Sequence, residues 1–173
     1  MINFFIVLLA MVISTPILGY DCKDIKRKGI IDITLPIALM NIRGVNINTV
    51  TCHRNMKKPL TNALECAKIN NVLTELRTYD GCYCYRNIAG TNRLSQHAFG
   101  MAIDFNARTN GYGRKPTMNP TLVRCFEKAG FRWGGRWKVP DGMHFELRRT
   151  TDEPRSKNSL CTDALPCDPH ASN

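Results

Sequence analysis

Eight cysteines constrain this chain more than any other feature. They stand at positions 22, 52, 66, 82, 84, 125, 161 and 167, all of them behind an apolar opening stretch without a charged side chain. An even number of cysteines in that setting reads as a disulfide framework formed in an oxidising compartment. Eight cysteines allow on the order of a hundred pairings, so spacing does not give the connectivity. Cys161 and Cys167 bracket a short proline-containing tail and are candidates for a local loop. A cysteine metal site is the alternative, but no CxxC pair occurs, and Cys82-Tyr83-Cys84 makes a poor zinc clamp.

The opening stretch, residues 1–19, reads as a signal peptide. Its apolar part, Ile2 to Ile13, is shorter than the roughly 20 residues a membrane span needs, and Pro16 and Gly19 give the end cleavage-site character. An uncleaved anchor is the other reading. Cleavage after Gly19 leaves residues 20–173, enough for one domain with a real core and too few for two ordinary ones. The expectation is a secreted or periplasmic monomer with no stable membrane span once the signal is removed. The formal charge of +10 attracts polyanions, among them nucleic acid, anionic membranes and acidic cell-wall polymers. No nucleic-acid motif accompanies that charge, so nucleic acid is not an expected partner.

Local patterns suggest mixed elements. Val45, Ile47 and Thr49 alternate as in a short strand, following an apolar run from Ile30 to Ile42. Leu60, Leu64 and Ala67 recur at helical spacing between Pro59 and about Val72, with Cys66 near the buried side. Leu73 to Tyr79 suggests a strand, and the glycines and asparagines of DGCYCYRNIAGTN suggest an irregular surface segment. GMAIDFN, residues 100–106, alternates as a half-buried strand that presents the Asp104 carboxylate opposite Met101, Ile103 and Phe105. Residues 107–118 read as a loop. Asn119-Pro120 supplies a cap and first-turn proline for a helix ended by Gly130. MHFEL, residues 143–147, is a further strand with His144 and Glu146 on one face; the composition after Arg149 suggests a tail pinned by cysteine.

The chemistry concentrates in two short stretches. In Ser95 to Asp104, SQHAFGMAID, a turn through Gly100 can bring His97 back beside the Asp104 carboxylate. In Asp141 to Glu146, DGMHFE, Gly142 permits a bend that lets Asp141 approach whatever His144 binds. A catalytic zinc needs about three ligands from His, Asp, Glu or Cys and one open position. Spacing alone does not establish such a site, since a single His or Asp is more often a surface or core residue.

The pattern SxHxxGxAxD, followed some forty residues later by WGGRWxxPDxMHFE, resembles the zinc metallopeptidase family of VanY-type D-alanyl-D-alanine carboxypeptidases and L-alanyl-D-glutamate peptidases. The similarity is clearest from Leu76 to Leu147. It implies an α+β fold, a small antiparallel sheet with flanking helices around a zinc cleft, here stabilised by disulfides. It implies His97, Asp104 and His144 as ligands of one Zn2+ per chain and Asp141 as catalytic base. Tyr85-Arg86 matches a tyrosine-arginine position where the arginine serves catalysis by binding a substrate carbonyl or carboxylate. Ser95 is implied to support the site or touch substrate, and Glu146 to stand behind the ligands. Trp133 and Trp137 are candidates for cleft walls or for core, while His53 and His170 match nothing. The implied activity is hydrolysis of peptidoglycan stem peptides, at an L-Ala to D-Glu or a terminal D-Ala to D-Ala bond. The alternative is a non-catalytic binding module that keeps the zinc fold and uses its basic surface to hold an anionic partner. The signal, the cysteines and the extra sequence before residue 60 and after 150 depart from the familiar members.

Overall fold

The structure, a computed structural model, describes residues 28–41, 43–147 and 167. The stretch expected to be a signal peptide, Cys22, Cys161, His170 and the tail other than Cys167 lie outside the described residues.

The chain opens with a hairpin of β1 (Ile30–Met40) and β2 (Asn46–His53). Its turn is built by Asn41, whose Oδ1 accepts from the backbone N–H groups of Arg43 and Val45, and by Gly44 at φ +78°. Pro36 lies where the register shifts between Thr34 and Leu39, as a residue without an N–H requires in a paired strand. Helix α1 (Lys57–Ile69) follows, starting two residues before the expected Pro59. Proline is accommodated in a first turn, where its missing N–H has no intrahelical partner. Leu60, Ala63, Leu64 and Ala67 form the buried stripe of α1.

The second sheet has four strands in the order β3 (Tyr79–Gly81), β4 (Ala102–Phe105), β6 (His144–Leu147) and β5 (Phe131–Trp133), each pair antiparallel. Helix α2 (Pro120–Lys128) packs on α1 and β5. Asn119 caps it as expected, with Oδ1 accepting from Thr121 and Leu122, and Gly130 at φ +102° ends the turn after it. Phe105, Phe126 and Phe145 stack between sheet and helices, with Phe126 and Phe145 centroids 4.5 Å apart. The result is α+β, two small antiparallel sheets with helices, as the resemblance implied.

Four local readings differ. Leu73 to Tyr79 is not a strand: Leu73–Glu75 is a 3-10 turn, and pairing begins only at Tyr79. The intervening backbone finds its partners on one side chain, since Asn106 accepts from the N–H groups of Arg77 and Thr78 and donates to the Glu75 carbonyl. The segment after Gly81 is irregular but begins inside, with Cys82 and Tyr83 buried. Strand β4 is buried on both faces, because the turn carrying His97 covers the face that alternation assigned to the cleft. Residues 107–110 form one helical turn within the expected loop, and β5 was not foreseen.

Three disulfides join described cysteines: Cys52–Cys82, Cys66–Cys125 and Cys84–Cys167. Cys167 therefore does not close a local loop with Cys161; it reaches back to the segment after β3. No helix among the described residues is long and apolar enough to cross a membrane.

Candidate metal centre

Pairing of β4 with β6 sets Asp104 directly opposite His144. The third group comes from a 3-10 turn, Gln96–Phe99, opened by Ser95, whose Oγ accepts from the His97 N–H, and closed by Gly100 at φ +62°. Only glycine suits that position. The conformation is left-handed, and a Cβ there would lie 2.6 Å from the His53 backbone nitrogen. The turn places His97 Nε2 at 3.2 Å from Asp104 Oδ2 and 3.1 Å from His144 Nδ1, with His144 Nδ1 at 3.0 Å from Asp104 Oδ1. All three residues are buried.

Two neighbours select the nitrogens that face inward. His97 Nδ1 lies 2.7 Å from the carbonyl oxygen of Cys82, which can only accept, so Nδ1 carries the proton and Nε2 presents its lone pair. On His144 the outward nitrogen, Nε2, lies 3.4 Å from Glu146 Oε2. Burial would push the Asp104 carboxyl upward, but the charges and hydrogen bonds of His97 and His144 hold it well below the usual carboxylate range. Burial also opposes the charged form of His144, yet hydrogen bonds to Asp104 and Glu146 raise its pKa to about 9.

His97, Asp104 and His144 each offer one ligand atom, and these atoms lie within 4.8 Å of one another. Two imidazole nitrogens and a carboxylate oxygen suit zinc. Zinc–nitrogen bonds of about 2.0–2.1 Å imply a tetrahedral edge of roughly 3.3 Å, close to the observed 3.0–3.2 Å separations. The donor set and its spacing fit the metal that the sequence implied, and three ligands leave a fourth position for water or substrate.

Asp141 stands beside this cluster. Its backbone carbonyl accepts from the His144 N–H, and its own N–H donates to Gly134. Burial, and then the negative charge of Asp104, raise its carboxyl pKa, against the His144, His97 and Arg86 charges that lower it. Its Oδ1 is buried without a hydrogen-bond partner among the described residues. Gly142, expected to bend the chain, has no positive φ; its lack of a side chain instead admits Pro116 and Asn110, whose Cβ atoms a Cβ there would meet at 3.0 and 3.2 Å.

Arg86 is exposed, and its field reaches Asp141. Ser95 is buried with its hydroxyl engaged in the cap, and Glu146 divides its carboxylate between His144 and Arg132. Trp137 lies against the His144 ring, centroids 5.3 Å apart, whereas Trp133 stacks on Phe145 and donates to the Gly142 carbonyl, a structural position. His53 is not at the cluster; its side chain caps the turn before α1. Sequence reasoning missed the Cys82 carbonyl, which no side-chain pattern encodes, and Gly134. A Cβ on Gly134 would lie 2.6 Å from the Asp141 carbonyl oxygen and 3.3 Å from the His144 Cβ, so the paired glycines of WGGRW were the available signal. A separate polar cavity of about 270 Å³, lined by residues including Glu75, Arg77 and Asn110, includes none of the cluster.

Residues 89–147 match the family described as D-alanyl-D-alanine carboxypeptidase, and over that stretch the resemblance drawn from the two motifs is borne out. The match holds His97, Asp104, Asp141 and His144, while Arg86 lies just ahead of it. No curated protein and no solved structure matches this chain.

Proposed function

We propose that this chain is a secreted zinc metallopeptidase, one domain over residues 20–173, that cleaves peptidoglycan stem peptides at an L-Ala to D-Glu or a terminal D-Ala to D-Ala bond. The observation that carries the reading is a buried carboxylate oxygen of Asp141, without a hydrogen-bond partner among the described residues, beside a cluster of three candidate ligands. A structural metal needs no such group, whereas hydrolysis needs a base that waits for a proton. The family match supports the substrate class.

His97, Asp104 and His144 hold the metal, which when bound lowers the pKa of water and polarises the scissile carbonyl. Asp141 takes the proton of the attacking water on its carboxylate and returns it to the leaving amine. Arg86 binds a carboxylate or carbonyl of the substrate and adds positive charge where the oxyanion develops. Ser95, buried and bonded to the His97 N–H, holds the turn beneath the site. Trp137 shields the His144 side of the cleft.

A non-catalytic module that holds an anionic partner is the second reading, and the charge of +10 favours it. Mass spectrometry of purified peptidoglycan fragments, incubated with oxidised protein with and without chelator, separates the two. Chelator-sensitive release of a stem-peptide product is expected. Intact fragments in the presence of zinc-loaded protein favour the module.

A further inference from the structure

The hairpin formed by β1 and β2 lies wholly before the stretch that matches the peptidase family, yet three of its residues reach the setting of His97. His53 donates its backbone N–H to the Gly100 carbonyl at 2.9 Å and so holds the end of the turn that carries His97. Thr51 accepts from the Tyr83 N–H at 3.0 Å. Cys52, fully buried on β2, is disulfide-bonded to Cys82. Cys82 lies just past the end of β3, where strand pairing no longer positions its carbonyl. That carbonyl accepts the proton of His97 Nδ1 at 2.7 Å. From the other side, Cys84 donates its N–H to the His97 carbonyl at 3.0 Å and is itself tied to Cys167.

We infer that the Cys52–Cys82 disulfide is a positioning device for the metal site: it fixes the Cys82 carbonyl that keeps the proton of His97 on Nδ1 and leaves Nε2 free to ligate. The inference rests on the metal reading of the cluster. A neutral imidazole divides its single proton between two nitrogens, and a metal binds only the bare one. An acceptor held at Nδ1 removes the wrong tautomer and orients the ring, and loss of such an outer partner costs about 10- to 100-fold in metal affinity. With the disulfide gone, residue 82 keeps only the hydrogen bonds of its neighbours to hold its carbonyl in place. The Cys66–Cys125 disulfide provides the control. It joins α1 to α2 and touches neither His97 nor Cys82, so its removal costs stability without disturbing the tautomer.

Zinc affinity of the oxidised full chain is measured by competition with a chromophoric chelator for wild type, Cys52→Ala/Cys82→Ala and Cys66→Ala/Cys125→Ala, beside thermal melts of each. Both double variants are expected to melt lower. Only Cys52→Ala/Cys82→Ala is expected to weaken zinc by tenfold or more, the control remaining within about threefold. Equal losses in both, or wild-type affinity in Cys52→Ala/Cys82→Ala, overturn the inference. Should that variant fail to fold, 15N imidazole shifts of metal-free wild type decide: the proton of neutral His97 belongs on Nδ1, and finding it on Nε2 overturns the positioning role. A wild type that takes up no zinc would defeat the functional reading instead, and the tautomer of His97 would still decide this one.

Discussion

Asp104 and His144 are cross-strand partners in the antiparallel pair of β4 and β6, and His144 Nδ1 sits 3.0 Å from Asp104 Oδ1. Two candidate ligands that are 40 residues apart in the chain therefore owe their meeting to strand register. A slip of one residue in β6 would turn His144 to the opposite face and set Phe145 or Met143 across from Asp104 in its stead. Ile103, Phe105, Phe145 and Leu147 on the core side resist that slip.

The first prediction is metal content. Purified protein should hold about one zinc per chain, and His97→Ala, Asp104→Ala or His144→Ala should each weaken binding by more than the roughly 10- to 100-fold of a lost outer partner. Elemental analysis after dialysis against a weak chelator measures it. Wild-type zinc in all three variants would remove these residues from the site.

The second concerns pH. Metal-free His144 titrates at about 9, above its ordinary 6.5, because its hydrogen bonds to Asp104 and Glu146 outweigh burial. Below about 9 the ring carries a proton that zinc must displace, so apparent zinc affinity should climb about tenfold per pH unit and then level off. For the metal-free fold the sign is opposite. A raised histidine pKa stabilises fully below 6.5, and that contribution is lost as pH rises through about 9. Calorimetric zinc titrations in buffers of different ionisation enthalpy count the proton released. Glu146→Gln should lower the midpoint.

The third concerns Gly134. An added Cβ would press on the Asp141 carbonyl oxygen at 2.6 Å, and that atom is backbone that cannot swing aside. Gly134→Ala should therefore displace the Asp141 segment, lowering hydrolysis by tenfold or more and stability by about 1–3 kcal/mol. Unchanged turnover with unchanged melting would show that the loop absorbs the methyl group.

Much of this site was legible because its signals are local. The alternation of GMAIDFN and MHFEL gave β4, β6 and the inward carboxylate, and Gly100 marked the turn that returns His97 to Asp104. What sequence could not supply were interactions made by atoms common to every residue. The Cys82 carbonyl carries no side-chain signature, and the approach of the Asp141 carbonyl left only the bare glycines of WGGRW as its trace. Leu73 to Tyr79 was misread for a related reason: its polar backbone groups are served by the distant Asn106 side chain, not by a strand. Burial of both faces of β4 followed from a tertiary cover that alternation cannot foresee. The cysteine pairing was closed to spacing altogether, since Cys84–Cys167 spans 83 residues.

The fourth prediction follows from that pairing. Cys52, Cys66, Cys82, Cys84, Cys125 and Cys167 are all bonded, and if the chain is exported, as the proposed function has it, its eight cysteines should present no free thiol. Thiol counting on the denatured, unreduced protein tests this. Several reactive thiols would contradict an oxidising destination.

The last prediction separates an enzyme from a scaffold, and it rests on the position of Asp141 beside the three candidate ligands without membership among them. Asp141 Oδ1 is buried and has no hydrogen-bond partner among the described residues, and burial raises its carboxyl pKa, so the group is set to receive a proton. Asp141→Asn preserves size and shape but replaces the accepting oxygen pair with an amide. The variant should keep its zinc and its melting temperature while hydrolysis of a stem peptide falls by roughly 10²-fold or more, the scale usual for a lost general base. Zinc content, melting curves and turnover are measured on the same preparation, so that loss of metal is not mistaken for loss of the base. A variant that loses zinc together with activity would make Asp141 a fourth ligand, leaving no open position for water. A variant as fast as wild type would move the proton transfer to another group, with Glu146 the next carboxylate to examine because it already faces His144.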